Sequence, residues 1–130
     1  VGRFAGERRA SVERIHAAIT SNPYMVAGKE RLCTALMERL APNILIKVGA
    51  DGVYTAVVPE HGLGVALKID DGHDGAARVA LGAVLQGLGL VPADEVKALS
   101  EYFRPSITNS RGETIGRIEP SSDWESLVVS

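Results

Sequence analysis

The fold is decided by one stretch, Ile44-Leu45-Ile46-Lys47-Val48-Gly49-Ala50-Asp51-Gly52-Val53-Tyr54-Thr55-Ala56-Val57-Val58, in which the hydrophobic pattern changes from helical to extended. Residues 44–48 form a short apolar run, and residues 53–58 are rich in β-branched side chains. Asp51-Gly52 between them is typical of a turn joining two antiparallel strands. Residues 63–70 then alternate large apolar with small or polar side chains, which places one face of a third strand in a core. We therefore predict a three-stranded antiparallel meander.

Helical patterns flank this meander on both sides. Upstream, apolar residues recur at helical spacing in residues 7–20, and a second stripe after Gly28 runs to Leu40 and ends at Pro42. Tyr24-Met25-Val26 lies between these helices and is interpreted as a packing plug. Downstream, the predicted elements are a helix over 76–88, a helix over 92–103 and a strand over 114–118. The helix over 76–88 is apolar on nearly all sides, so it is expected to lie across the sheet and to be covered by a further part of the protein.

The element order is therefore α-α-β-β-β-α-α-β, which predicts an α+β fold, a layered sandwich in which helices cover an antiparallel sheet. All 130 residues are interpreted as one segment, with residues 121–130 as a loosely held tail. The chain starts at Val1 instead of an initiator Met, so we expect it to begin inside a longer protein or after processing.

The composition excludes several classes of protein. The formal net charge of −2 gives no general attraction to nucleic acid or to an anionic membrane. An aromatic content of 5% provides few side chains on which nucleic-acid bases could stack. The apolar runs are too short for a bilayer span, and the first residues do not resemble a secretory signal. Cys33, the only cysteine, is expected to be a small buried apolar residue in a reducing cytoplasm.

Lys47 is the strongest single candidate for chemistry because it interrupts the apolar run of the first strand. A lysine on the core side of a strand must find a partner or lose its charge, and beside a hydroxyl it can accept a proton or act as an electrostatic partner. Gly49 would let a substrate approach the backbone, and the Ala50 N–H could face an oxyanion. On spacing alone, a lysine in an edge strand is more often a charged residue that prevents aggregation.

Other motifs favour structural interpretations. Residues 70–75 are acidic, yet Gly72 and Leu81 stand where an EF-hand needs ligands, so a solvated turn is expected. Gly62-Leu63-Gly64 lacks the third glycine of a dinucleotide loop. The histidines share no metal-binding spacing and are taken as surface residues; they are His16, His61 and His73.

Three segments, taken in order, resemble signatures of the asparaginase II family. They are Asn22-Pro23-Tyr24-Met25-Val26-Ala27-Gly28 with Arg31-Leu32-Cys33-Thr34-Ala35-Leu36-Met37, Ile46-Lys47-Val48-Gly49-Ala50-Asp51-Gly52-Val53-Tyr54, and Gly62-Leu63-Gly64-Val65-Ala66-Leu67-Lys68-Ile69-Asp70-Asp71-Gly72. The resemblance runs from about residue 9 to residue 118. It implies the C-terminal part of a fold similar to serine β-lactamases and glutaminases, and hydrolysis of L-asparagine to L-aspartate and ammonia.

The resemblance also implies roles for individual residues. The family's active site has two serine–lysine pairs, and the lysine of the second pair maps onto Lys47. The similarity to the K-T-G strand of penicillin-recognising enzymes places the Ala50 N–H at the oxyanion position. Gly49 and Ala50 would then line the amide-binding strand, with Asp51 as a neighbour that shapes the hairpin.

The chain departs from the family's pattern at the nucleophile. No S-x-x-K string is present; Ser11-Val12-Glu13-Arg14 comes nearest, but arginine cannot serve as a base. We therefore expect the serine nucleophile, and the ligands of the zinc that the resemblance implies, to lie outside this chain, which alone is expected to be inactive and without a cofactor. L-asparagine is the expected small-molecule substrate, and the expected partner is a second copy or the missing N-terminal part. The alternatives are a non-catalytic scaffold domain and a relative that acts on another small amide.

Overall fold

The predicted meander is present. In the computed structural model, which describes residues 5–124, three strands form one sheet in the order β1-β2-β3. Their bounds are β1 Leu45–Val48, β2 Val53–Val58 and β3 Leu63–Lys68. β1 and β2 are antiparallel, with Ile46 opposite Ala56 and Lys47 opposite Thr55. A 3-10 turn over Pro59–His61, capped by Gly62 in the left-handed region, joins β2 to β3.

The helices lie on either side of this sheet in the sequence, and the described residues divide into two compact units. One unit comprises residues 5–49 and 54–66, and the other comprises residues 50–53 and 67–124. The remaining elements are α1 Gly6–Thr20, α2 Pro23–Ala27, α3 Leu32–Leu40, α4 Asp74–Gly87, α5 Ala93–Ala98, α6 Ser100–Phe103, β4 Ser106–Thr108 and β5 Thr114–Arg117. The helices and antiparallel sheets confirm the predicted α+β class.

The core of the first unit forms where α3 packs on β1. The apolar stripe of α3 contributes Leu32, Leu36 and Met37, each at most 1% exposed, and the sheet contributes Ile46 and Tyr54. Burying a large aliphatic or aromatic side chain stabilises a fold by about 1.5–3 kcal/mol, so this contact fixes which face of β1 points inward. The period of two then sends the other face outward.

The second unit is built around α4, which packs against α6. Small residues on α4 let the two helices approach closely: a Cβ placed on Gly82 would lie 2.7 Å from Cγ of Phe103. Phe103 is 3% exposed, and Leu81 and Leu85 of α4 are fully buried. The apolar composition of α4 is therefore explained by burial within its own unit.

Three elements differ from the prediction. Tyr24 and Met25 are 61% and 80% exposed on the short helix α2, so the interpretation of a packing plug is wrong. The single helix predicted over 92–103 is two helices, because the buried Leu99 leaves helical geometry at φ −98° and ψ 11°. The predicted final strand is part of a hairpin, since β4 pairs with β5.

Two observations bear on the rest of the chain. Within residues 5–124, none of the helices has both the length and the apolar character of a membrane span. Of the predicted C-terminal tail, residues 121–124 are described, and the backbone N–H of Trp124 donates to the carbonyl of Ser121 at 3.1 Å. Residues 125–130 lie outside the described residues.

Candidate functional site

The side chain of Lys47 is on the solvent face of β1, so the expectation that it lies on the core side is wrong. Its neighbour Ile46 is completely buried, and the period of two along a strand therefore turns Lys47 outward. The ammonium group keeps its hydration and needs no buried counter-ion. Lys47 is thus accessible to a substrate or to another polypeptide segment.

Hydrogen bonds hold Lys47 at the end of its strand. The Lys47 Nζ donates to the carbonyl oxygen of Val48 at 2.8 Å, and Thr55 Oγ1 on the adjacent strand donates to the carbonyl of Lys47 at 3.4 Å. The first bond is local and exposed, and an exposed contact of this kind is weak enough to exchange for another acceptor. The side chain can therefore turn toward an incoming hydroxyl without breaking the fold.

The loop after β1 contains the other three candidate residues, Gly49, Ala50 and Asp51, and all three are exposed. Asp51 and Gly52 take φ values of +55° and +69°, the left-handed region that Gly, Asn and Asp adopt most readily in turns. Asp51 therefore has a structural role in the turn. Gly49 has no side chain and Ala50 has only a methyl group, so neither residue covers the backbone of the loop with a bulky group.

A contact that the sequence pattern did not reveal supports this turn. Gly52 is buried although its neighbour Asp51 is exposed, and its carbonyl accepts a hydrogen bond of 3.0 Å from the N–H of Ile69. A Cβ on Gly52 would lie 2.9 Å from the carbonyl carbon of Gly72, so the two backbones touch. The turn after β1 therefore rests on the turn after β3.

The comparison with known proteins decides the family. A sequence model of the L-asparaginase II family matches residues 2–120, which is most of the chain. The chain belongs to the L-asparaginase II family. A search among curated proteins finds no match. The resemblance inferred from the three sequence segments is thereby confirmed, and an amidohydrolase of asparaginase type is the family-level function.

Cys33 of this asparaginase II chain is buried, as predicted, and the surroundings of its thiol explain its chemistry. Burial raises the pKa of the Cys33 thiol, and a backbone hydrogen bond with Val48 and the nearby charges of Lys47 and Arg31 offset only part of that rise. The thiol is therefore neutral at physiological pH. A neutral, buried thiol is a poor nucleophile, so Cys33 serves packing rather than catalysis.

The residues described for this family member do not assemble a zinc site. Among residues 5–124, no three potential ligands of the His, Cys, Asp or Glu type lie together. His73 is instead engaged as the N-cap of α4, where its Nδ1 accepts a hydrogen bond of 3.0 Å from the N–H of Ala76. The carboxylate of Asp71 accepts from the N–H of His73 at 2.9 Å, so the acidic segment 70–75 forms a capped turn.

Proposed function

We propose that this chain is the C-terminal part of an L-asparagine amidohydrolase and that Lys47 belongs to its catalytic machinery. The observation that carries the proposal is the match to the L-asparaginase II family across residues 2–120. The exposed position of Lys47 beside an open glycine-containing loop agrees with a role at a surface where another part of the site is added.

In the proposed reaction, a serine supplied from outside these 130 residues attacks the side-chain amide carbon of L-asparagine. Lys47 takes the hydroxyl proton, or as an ammonium group it stabilises the alkoxide that forms. The C–N bond then breaks, the nitrogen takes up a proton and leaves as ammonia, and an aspartyl ester remains on the serine. Water hydrolyses that ester, releases L-aspartate and restores the hydroxyl.

The loop after β1 supplies binding groups in this proposal. Gly49 leaves the backbone open to the substrate, and the Ala50 N–H donates to the oxygen that becomes negatively charged in the tetrahedral intermediate. Loss of one oxyanion donor costs about a hundredfold to a thousandfold in turnover, so the orientation of this amide matters. Asp51 maintains the turn through its positive φ of +55°.

The proposal extends to surroundings of the site. L-asparagine is the substrate, and the protein acts in the cytoplasm. Zinc, where it is bound, has ligands outside this chain and takes no part in the steps above. The active assembly contains the remaining N-terminal polypeptide, a second copy of the chain, or both.

Ammonia release tests the proposed substrate. The 130-residue chain and the full-length gene product are each incubated with L-asparagine, L-glutamine and a small lactam. We expect the full-length protein to release ammonia fastest from L-asparagine and the chain alone to release none. Preference for glutamine or the lactam would replace the substrate assignment, and an inactive full-length protein would favour a non-catalytic scaffold. Turnover by the purified chain would show that it contains its own nucleophile.

A further inference from the structure

Two turns that are twenty residues apart in the sequence meet through their backbones. Gly52 lies in the turn after β1 with φ +69°, and Gly72 lies in the turn after β3 with φ +77°. A Cβ on Gly52 would come within 2.9–3.1 Å of three backbone atoms of Gly72. A distance under 3.0 Å to backbone atoms leaves no room for any side chain at position 52.

Hydrogen bonds hold each partner of this contact. The Ile69 N–H donates to the Gly52 carbonyl, and the Gly72 N–H donates to the Ile69 carbonyl, both at 3.0 Å. The residues on either side of Gly72 are also linked, because the N–H of His73 donates to Asp71 Oδ1 at 2.9 Å. The segment that contacts Gly52 is thus fixed before α4 begins at Asp74.

We propose that Gly52 and Gly72, with the bond from Ile69, form a backbone lock that positions the Ala50 amide for amide hydrolysis. This inference rests on the proposed function, because it assigns the lock to the same loop. Gly52 and Gly72 are positioning residues: they touch no reacting atom and act through the backbone of Ala50 and Asp51, which orients the preceding Gly49–Ala50 peptide and its N–H.

The geometry makes the lock a means of positioning rather than a packing detail. Ala50 and Asp51 are exposed, so side-chain burial holds neither of them in place. The buried Gly52 is therefore the nearest anchor on the C-terminal side of Ala50. An oxyanion donor must stay within about 0.5 Å of its productive position. A Cβ on Gly52 that moves from 2.9 Å to an ordinary contact distance of 3.4 Å from Gly72 shifts the turn by a similar amount.

A matched pair of glycine substitutions tests the lock in the full-length protein. Gly52→Ala introduces a Cβ that must displace Gly72, whereas Gly62→Ala introduces a Cβ at φ +62° with no atom within 4 Å. Both variants carry a similar left-handed strain, so their difference isolates the contact. Gly72→Ala is the milder third variant, since its Cβ would lie 3.4–3.5 Å from Asp51.

Amide hydrogen exchange and chemical shifts report on the lock without any assay of activity. We expect Gly52→Ala to speed exchange of the Ile69 amide by about tenfold or more and to shift the Ala50 and Asp51 amide resonances, with smaller effects in Gly72→Ala. Gly62→Ala should leave all three amides unchanged. If Gly52→Ala and Gly62→Ala give the same exchange rate at Ile69, the lock does not exist.

Kinetics then test its role. Per folded molecule, Gly52→Ala should lower kcat for L-asparagine by about tenfold or more with KM nearly unchanged, because an oxyanion donor acts in the transition state. Gly62→Ala should keep the parent kcat. Altered exchange with an unaltered kcat would overturn the positioning role while the proposed reaction stands. If the parent protein itself has no asparaginase activity, the proposed function fails, and the role in hydrolysis fails with it even where exchange confirms the lock.

Discussion

At Cys33 the physical environment gives a testable pH dependence. Burial raises the thiol's pKa in the folded chain above the ordinary value of about 8.5. The protonated form is therefore the one that folding favours, and the resulting stability is fully present below the unfolded-state pKa. It is lost as pH rises through the higher pKa of the folded state.

The raised pKa of the Cys33 thiol predicts that its contribution to stability decreases as pH rises. Cys33→Ala removes both the buried side chain and its titration. The free energy of unfolding of wild type minus that of the variant should therefore be larger at pH 7 than at pH 10. Urea denaturation of both proteins at the two pH values measures the difference. An equal gap at both values would show that the thiol does not titrate differently in the two states.

Lys47 shows what the sequence could and could not predict about a single residue. One face of the strand carries Ile44, Ile46 and Val48, and the other carries Leu45 and Lys47. A period of two favours burial of the first face, but the apolar Leu45 does not exclude the second. The choice is made by α3, which packs against β1 and covers Ile46. That contact is non-local, so the burial of Lys47 was wrongly predicted, and its catalytic role stays a prediction.

At the scale of an element, α4 depends on a histidine for its start. His73 Nδ1 accepts from the Ala76 N–H at 3.0 Å and satisfies one of the free amides in the first turn. We predict that His73→Ala lowers the free energy of unfolding by about 1 kcal/mol, as loss of a cap does, and that His73→Asn retains most of it. Thermal and urea unfolding measure both.

The exposed His61 in the 3-10 turn provides the control for that prediction. His61→Ala should change stability by less than about 0.5 kcal/mol, as surface substitutions usually do. Equal losses for His61→Ala and His73→Ala would mean that the cap does not stabilise α4.

The contact between α4 and α6 gives a prediction about packing. Gly82→Ala places a methyl group 2.7 Å from Cγ of the buried Phe103. The gain in helix propensity from alanine, about 0.5–1 kcal/mol, is smaller than the overpacking cost of about 1–3 kcal/mol, so the substitution should destabilise the protein. Unfolding of the single variants and the double variant with Phe103→Leu measures the coupling. Additive effects would contradict the close approach.

The elements that the sequence predicted are those with a strong period. α3, α4 and the three strands of the meander follow from patterns within one segment. α1 was also predicted, although its period is weak and Ile15 of its apolar stripe is exposed. β4 was not predicted because Ser106–Thr108 is only three residues long and all three residues are exposed. Its sequence therefore shows no alternation of apolar and polar side chains. The lock between Gly52 and Gly72 was also missed, since no local pattern shows that two turns twenty residues apart will meet.

At the scale of the whole molecule, several large apolar side chains face solvent. Met25 is 80% exposed, Ile115 66%, Tyr24 61% and Ile15 59%. Ile15, Tyr24 and Met25 lie on α1 and α2, which contact each other, and apolar side chains exposed close together favour association with a second copy or with another polypeptide segment. We predict that the isolated chain self-associates reversibly at micromolar concentration, as measured by sedimentation velocity. A single monomeric species over the whole concentration range would contradict this.

The sheet contains a close control for the proposed role of Lys47 in amide hydrolysis. Lys68 is also an exposed lysine of the same sheet, and its Nζ likewise donates to the carbonyl of the following residue, Ile69. Replacing either lysine by alanine removes one surface charge and leaves the core intact, so circular dichroism should show both variants folded.

The decisive measurement is ammonia release from L-asparagine by the full-length protein and these two variants. We predict that Lys47→Ala lowers turnover by at least about a hundredfold and that Lys68→Ala stays near wild type. Turnover of Lys47→Ala close to that of wild type would contradict it.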